Sequence, residues 1–182
     1  MKKIIALMFA MIVSIMTFSS YSITENDNDP TQKFSEAEIL KLCKWFVSTP
    51  PSDDAKQAEL RKAAGAQILL YAVNTETFTL DITNASTQLF GKEKNSVSTD
   101  LFSTYLAGEV LYCLEHNLKK NNATSFSNSM EGVINIYSQM ANHPIKSLNK
   151  YLKMDKEKRM TAFEKLYNNS NRTVHRKYNH PD

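Results

Sequence analysis

Glycine and proline are scarce in this sequence of 182 residues, at four and five respectively. A fold of many short strands needs a turn about every eight to twelve residues, so the scarcity argues against a sandwich or barrel. Cysteine is limited to Cys43 and Cys113. Phosphate-cradling loops are missing too. There is no Walker loop, no GxGxxG and no GxSxG nucleophile elbow, and none of the four histidines (116, 143, 175 and 180) stands at HxxxH spacing. No cofactor and no metal is therefore implied. After the first 16 residues no apolar run approaches the roughly 20 residues that a membrane span requires.

What the chain does have begins at its N-terminus. MKKIIALMFAMIVSIMTFSSYS joins a basic start to an apolar run over residues 4–16 and then to small polar residues. This is the pattern of a secretory signal peptide over residues 1–22, cleaved after Ser22 with Ser20 as the alternative site. No cysteine lies near the cleavage region, which argues against a bacterial lipoprotein anchor. The expected destination is the periplasm or the exterior, with no membrane span left after cleavage. The formal charge of +3 then conceals an asymmetry. Residues 23–142 carry 10 Lys+Arg against 15 Asp+Glu, whereas residues 143–182 carry 10 against 4.

The mature chain reads as helix after helix. Residues 23–34 are polar and contain Pro30, a disordered leader. Ser35 and Glu38 form a capping box for a helix over residues 36–47, stopped by Thr49-Pro50-Pro51. A second helix starts at Ser52-Asp53-Asp54, and its later part, residues 63–73, is apolar on nearly every side, which predicts burial. Phe78, Leu80 and Ile82 alternate with polar residues, giving an extended segment over 77–83 and then a short helical turn at 85–90 closed by Gly91. The chain is organised around STDLFSTYLAGEVLYCLEHNL, residues 98–118, a helix long enough to cross a small domain. Phe126, Met130, Val133, Ile134, Tyr137 and Met140 define the next, Pro144 opens a short one, and Asp155 starts another bearing Met160, Phe163 and Tyr167. The expected fold is all-α: a single irregular bundle of five or six helices over residues 35–168 with one short extended segment, followed by a flexible polar tail over 169–182. Gly65 and Gly108 sit inside predicted helices beside alanines, where small residues permit close helix contact.

Around Trp45 and Thr49-Pro50, and again in YLAGEVLYCLEHNLKKN and GVINIYSQM, the chain resembles an uncharacterised group of secreted, mostly helical bacterial proteins. The shared residues look like packing and capping positions. The resemblance implies a secreted helical domain and transfers no activity and no site residue.

Two groups of residues invite a chemical reading. Glu109, Cys113 and His116 lie on adjacent rows of the central helix, and a thiol with a histidine and a carboxylate is a nucleophile set. That spacing on one helix is not an established dyad geometry, however, and Cys113 sits mid-face among apolar residues. Cys43 and Cys113 each lie on the inward face of a helix in a chain expected to be exported, which predicts a structural disulfide between them. The second group is basic. Lys146, Lys150, Lys153, Lys156 and Arg159 recur every three or four residues, a candidate interaction surface for an acidic protein; the alternative is a solvated face opposite Leu148, Leu152, Met160 and Phe163. Export makes nucleic acid a poor candidate partner.

Taken together these features predict a small exported protein that binds another, unidentified protein without catalysing a reaction, of inhibitor, immunity or accessory type. Two alternatives stand beside it. A hydrolase-like enzyme would gather its site from distant residues and show a concave pocket of converging polar groups. A carrier of an apolar ligand would hold a large apolar cavity.

Overall fold

Ser35 opens the first helix through the reciprocal box expected of it. Its hydroxyl accepts from Glu38 N at 3.4 Å, and the Glu38 carboxylate accepts from Ser35 N at 2.8 Å. The computed structural model describes residues 34–90, 96–140 and 145–178. Among these are seven helices: α1 (Glu36–Ser48), α2 (Ala55–Asn74), α3 (Asn84–Phe90), α4 (Ser96–Glu115), α5 (Ala123–Ser138), α6 (Lys146–Leu152) and α7 (Lys156–Tyr178). The fold is an all-α bundle. It has one helix more than the five or six expected, because the short turn near residue 85 is a full helix with Ala85, Leu89 and Phe90 buried. The expected signal peptide, leader residues 23–33, the closing Gly91 and Pro144 lie outside the described residues.

Local signals set most of the helix ends. Asp54 caps α2 by accepting from Gln57 N at 2.8 Å, and Asn122 caps α5 by accepting from Thr124 N and Ser125 N. The central helix stops earlier than residue 118. Asn117 adopts φ 51°, Leu118 N donates to Cys113 O, and Asn117 N donates to Leu114 O. This is the left-handed close of a Schellman motif, at a residue whose short polar side chain tolerates that conformation. At the other extreme, α7 runs on through residues 169–178. No glycine or proline interrupts them, and Ser170 is still buried.

The predicted extended segment is present. Thr79 N donates to Lys119 O and Asn121 N donates to Thr79 O, a single parallel bridge. The Asn121 side chain prolongs it by accepting from Asp81 N at 2.8 Å and donating to Asp81 O at 3.2 Å. Phe78 is thereby held in the core.

The core has two parts that share α4. Leu101, Tyr105 and Leu106 pack with Phe126, Met130, Tyr137, Phe163 and others from α3, α5, α6 and α7. Ala107, Val110, Cys113 and Leu114 pack with Ile39, Cys43 and Phe46 of α1 and Ile68 of α2. The helix is central because it is apolar on two sides and feeds both clusters. Its most extensive seam is with α5. An ideal Cβ on Gly108 would lie 2.9 Å from Ser129 Cα, so the close approach there excludes any side chain. Gly65 faces the Phe46 ring, whereas Gly132 has open space around it.

One expectation about burial is overturned. α2 buries only Arg61, Ala64 and Ile68, while Leu70 is 41% and Val73 60% exposed. The helix packs on α1 and α4 from one side, so the apolar residues on its other side have nothing to meet.

Candidate functional site

The basic region was the surface most strongly indicated by the sequence, and the structure divides it. Lys146 and Lys150 on α6, Lys153 just after it and Lys156 at the start of α7 are exposed. Lys150 Nζ stands 4.7 Å from the centroid of the Tyr151 ring. A shallow depression of about 310 Å³ beside it is lined by Gln88, Leu89, Ser147, Lys150, Tyr151 and Leu166. Arg159 does not belong to this surface. It is only 14% exposed, and its guanidinium grips Glu131 of α5, with Nε 2.8 Å from Oε2 and Nη2 bonded to Oε1, while Nη1 donates to Met154 O. A two-toothed pair of this kind fixes α7 on α5 and leaves little charge for a partner. Lys158 is likewise paired, with Asp155 at 2.8 Å.

The Glu109, Cys113 and His116 set does not converge. Glu109 and Cys113 are buried, whereas His116 is exposed and stacked on Tyr112, ring centroids 3.9 Å apart. Burial pushes the thiols of Cys43 and Cys113 up to about 12, at Cys113 with help from Glu109. A thiol held so far above neutrality is not a nucleophile. The expected disulfide is not formed either. Both cysteines are free, buried in the same apolar cluster, where a neutral thiol serves as a small hydrophobic side chain.

Two buried polar centres stand in the core, and only one of their central residues, Glu109, was singled out from the sequence. Arg61 is 3% exposed and places all five of its N–H groups. Nε and Nη2 donate to the Asp100 carboxylate, Nη2 also to Thr104 Oγ1, and Nη1 to the carbonyls of Phe46 and Thr49. The guanidinium also lies 3.9 Å from the Phe46 ring centroid. The signal was available, since Arg61 shares a helical row with Ala64 and Ile68. Its position on that row marks an inward arginine that must find an acid.

Glu109 is the second centre, 1% exposed in the α4–α5 seam. Neither of its carboxylate oxygens is hydrogen bonded, nor is the hydroxyl of Tyr105 one turn before it. Burial raises the Glu109 carboxyl to about 7, against the opposing influence of Ser125, Tyr105 and Asn121 nearby. Burial also holds the Tyr105 hydroxyl well above its usual range, with the Glu109 charge adding to the effect. A second depression, of about 610 Å³, is lined by Asp155, Glu157, Lys158, Thr161, Ala162 and Lys165. Glu109 opens into neither depression. No group of three or more histidines, cysteines or carboxylates placed to hold a metal occurs among the described residues.

No protein-family model, curated protein or solved structure matches this chain. Its sites must speak through their own chemistry. Among the described residues no helix is long and apolar enough to cross a membrane. The outward surface offers two contrasting faces, the four exposed lysines on and beside α6 and the apolar residues Leu70 and Val73 on the outside of α2.

Proposed function

We propose that this chain is an exported helical protein that acts by binding an acidic protein partner, using Lys146, Lys150, Lys153 and Lys156. The observation that carries the reading is the exposure of those four lysines on α6 and at the start of α7, in a bundle whose buried ionisable groups are closed to solvent. Charges of one sign gathered on a surface accelerate encounter with the opposite sign more than they prolong a complex. Export rests on the N-terminal pattern of a basic start and a short apolar run. The inhibitor, immunity and accessory classes all fit such a protein. An enzyme reading would need polar groups converging on an open site. The groups that do cluster, around Glu109, are sealed in the core.

The test has two steps. The full chain, expressed with its N-terminus and recovered from the envelope or medium, is used to isolate a partner, and association is then followed at rising salt. The association rate should fall as the Debye length shrinks from about 30 Å at 0.01 M to about 8 Å at 0.15 M. Replacing Lys150, Lys153 and Lys156 with glutamine should remove that dependence with the helical spectrum unchanged. Binding indifferent to salt and to the lysines would reject this surface and move the contact to the apolar outside of α2.

A further inference from the structure

Glu109 is the one carboxylate among the described residues that is both fully buried and makes no hydrogen bond. The reason is local competition for hydrogens. Ser125 Oγ, facing it from α5, gives its hydrogen to Asn122 O at 2.9 Å while accepting from Asn122 N at 2.8 Å. The Asn121 amide is engaged on both sides with the backbone of Asp81. Tyr105, on the same helix, faces the carboxylate with a neutral hydroxyl that no other group engages. Ser125 is thus spent on capping α5 and one Asn121 hydrogen on tethering the extended segment, so the carboxylate can draw only on neutral donors, the Tyr105 hydroxyl and the second Asn121 amide hydrogen.

The charged groups of the surrounding elements stand elsewhere. On α2, Arg61 is saturated by Asp100, nine residues before Glu109. On α1, Lys44 pairs with Glu115 at the surface end of α4. On α5, Glu131 is held by Arg159 of α7. The titratable neighbours are Tyr105 and Cys113 on α4 itself, with Tyr167 of α7 reaching the rim, where its hydroxyl donates to Asn121 O at 3.4 Å. Ser86 of α3 faces the Tyr105 hydroxyl and is bonded to Thr83 O. None of these supplies a positive charge. A carboxylic acid carries its own donor and suits such a site, whereas an anion does not.

We propose that Glu109 is a proton-operated latch on the α4–α5 seam: as the neutral acid it lets the seam close, and as the carboxylate it drives the seam to loosen. The position supports leverage. At Gly108, the adjacent residue, α4 comes close to the α5 backbone at Ser129, so a charge seeking water there must part a close contact between the two helices. The latch would hold the domain closed in mildly acidic surroundings and ease it open as pH rises past neutrality. It is independent of the partner-binding reading.

Glu109→Gln keeps the shape and removes the titration. Urea unfolding of the full chain should give a wild-type folding equilibrium that weakens roughly a hundredfold or more between pH 4.5 and 8, and a variant that lacks this fall. Native thiol labelling at pH 8, read at Cys113 by mass spectrometry, should be faster in wild type than in Glu109→Gln, since Cys113 lies one turn along the same helix. Should Glu109→Gln not fold, infrared spectroscopy of folded wild type at pH 6 serves instead. A carboxylic-acid carbonyl band that disappears by pH 8 supports the latch. Three results would overturn it: a pH-independent wild type, a variant with the same fall, or no acid band at pH 6.

Discussion

Arg61 and Glu109 meet α4 at two points nine residues apart, counting from Asp100, and both are sealed from solvent. Around Arg61 the fold supplies an acceptor for every hydrogen: a carboxylate, a hydroxyl and two carbonyls. Around Glu109 it supplies apolar wall, no positive charge and only a few neutral hydroxyl and amide donors, of which Ser125 and Asn121 are already bonded elsewhere. Both groups are buried, yet one is tied into the structure and the other has no counter-charge in it. Partner supply, more than depth, decides whether a buried charge anchors a fold or threatens it. The helices differ in the same sense. The α1–α2 turn is pinned to α4 through Arg61, while the α4–α5 seam has close packing at Gly108 and an unsatisfied acid beside it.

The sharpest way to break the contrast is to remove the satisfied partner. Arg61→Ala leaves the Asp100 carboxylate and the carbonyls of Phe46 and Thr49 without their donors and should cost about 3–5 kcal/mol in urea unfolding. Gly108→Leu tests the other seam and should cost on the order of 1–3 kcal/mol through overpacking against Ser129, more if α5 cannot shift. A neutral result would mean that the crossing is slacker than 2.9 Å implies.

The pH response should single out the Glu109 site. Glu109 in the folded chain titrates near 7, above its ordinary 4.5, so the folded state holds the proton more tightly than the unfolded one. Its contribution is fully present below 4.5 and is lost as pH rises through 7, at up to about 1.4 kcal/mol per pH unit. Glu109→Gln should therefore be more stable than wild type at pH 8. The thiols provide a smaller check on the second core cluster. Unfolded, unreduced protein should label at both Cys43 and Cys113. Protection of both would mean an oxidised pair, closing a loop of about 70 residues worth roughly 4 kcal/mol. Smallest of all, glutamine at Lys150, Lys153 and Lys156 should change folding stability by no more than about 0.5 kcal/mol, because these side chains are exposed. Arg159→Gln, by contrast, should cost more, since it frees Glu131 inside the α5–α7 contact.

What the sequence determined by itself is what neighbours within a turn or two decide. The Ser35–Glu38 box, the Asp54 cap, the periodic face of α5 and the extended run around Phe78 were legible because each is a contact between residues at most four apart, or a repeat on one face. Even the early stop of α4 had a local mark in Asn117, a residue suited to positive φ. The tertiary structure decided which of those faces found a partner. Arg61 meets Asp100 across 39 residues and Arg159 meets Glu131 across 28, so one inward arginine looked like part of an exposed helix and the other like part of a binding face. Leu70 and Val73 looked like core and lie outside, because only one side of α2 is covered. Glu109 was legible only as a candidate acid beside Cys113 and His116, and not as a sealed, uncompensated one. Its isolation arises from hydrogen bonds made by Ser125 and Asn121 to other groups, a competition that exists only once α5 and the extended segment have closed around it.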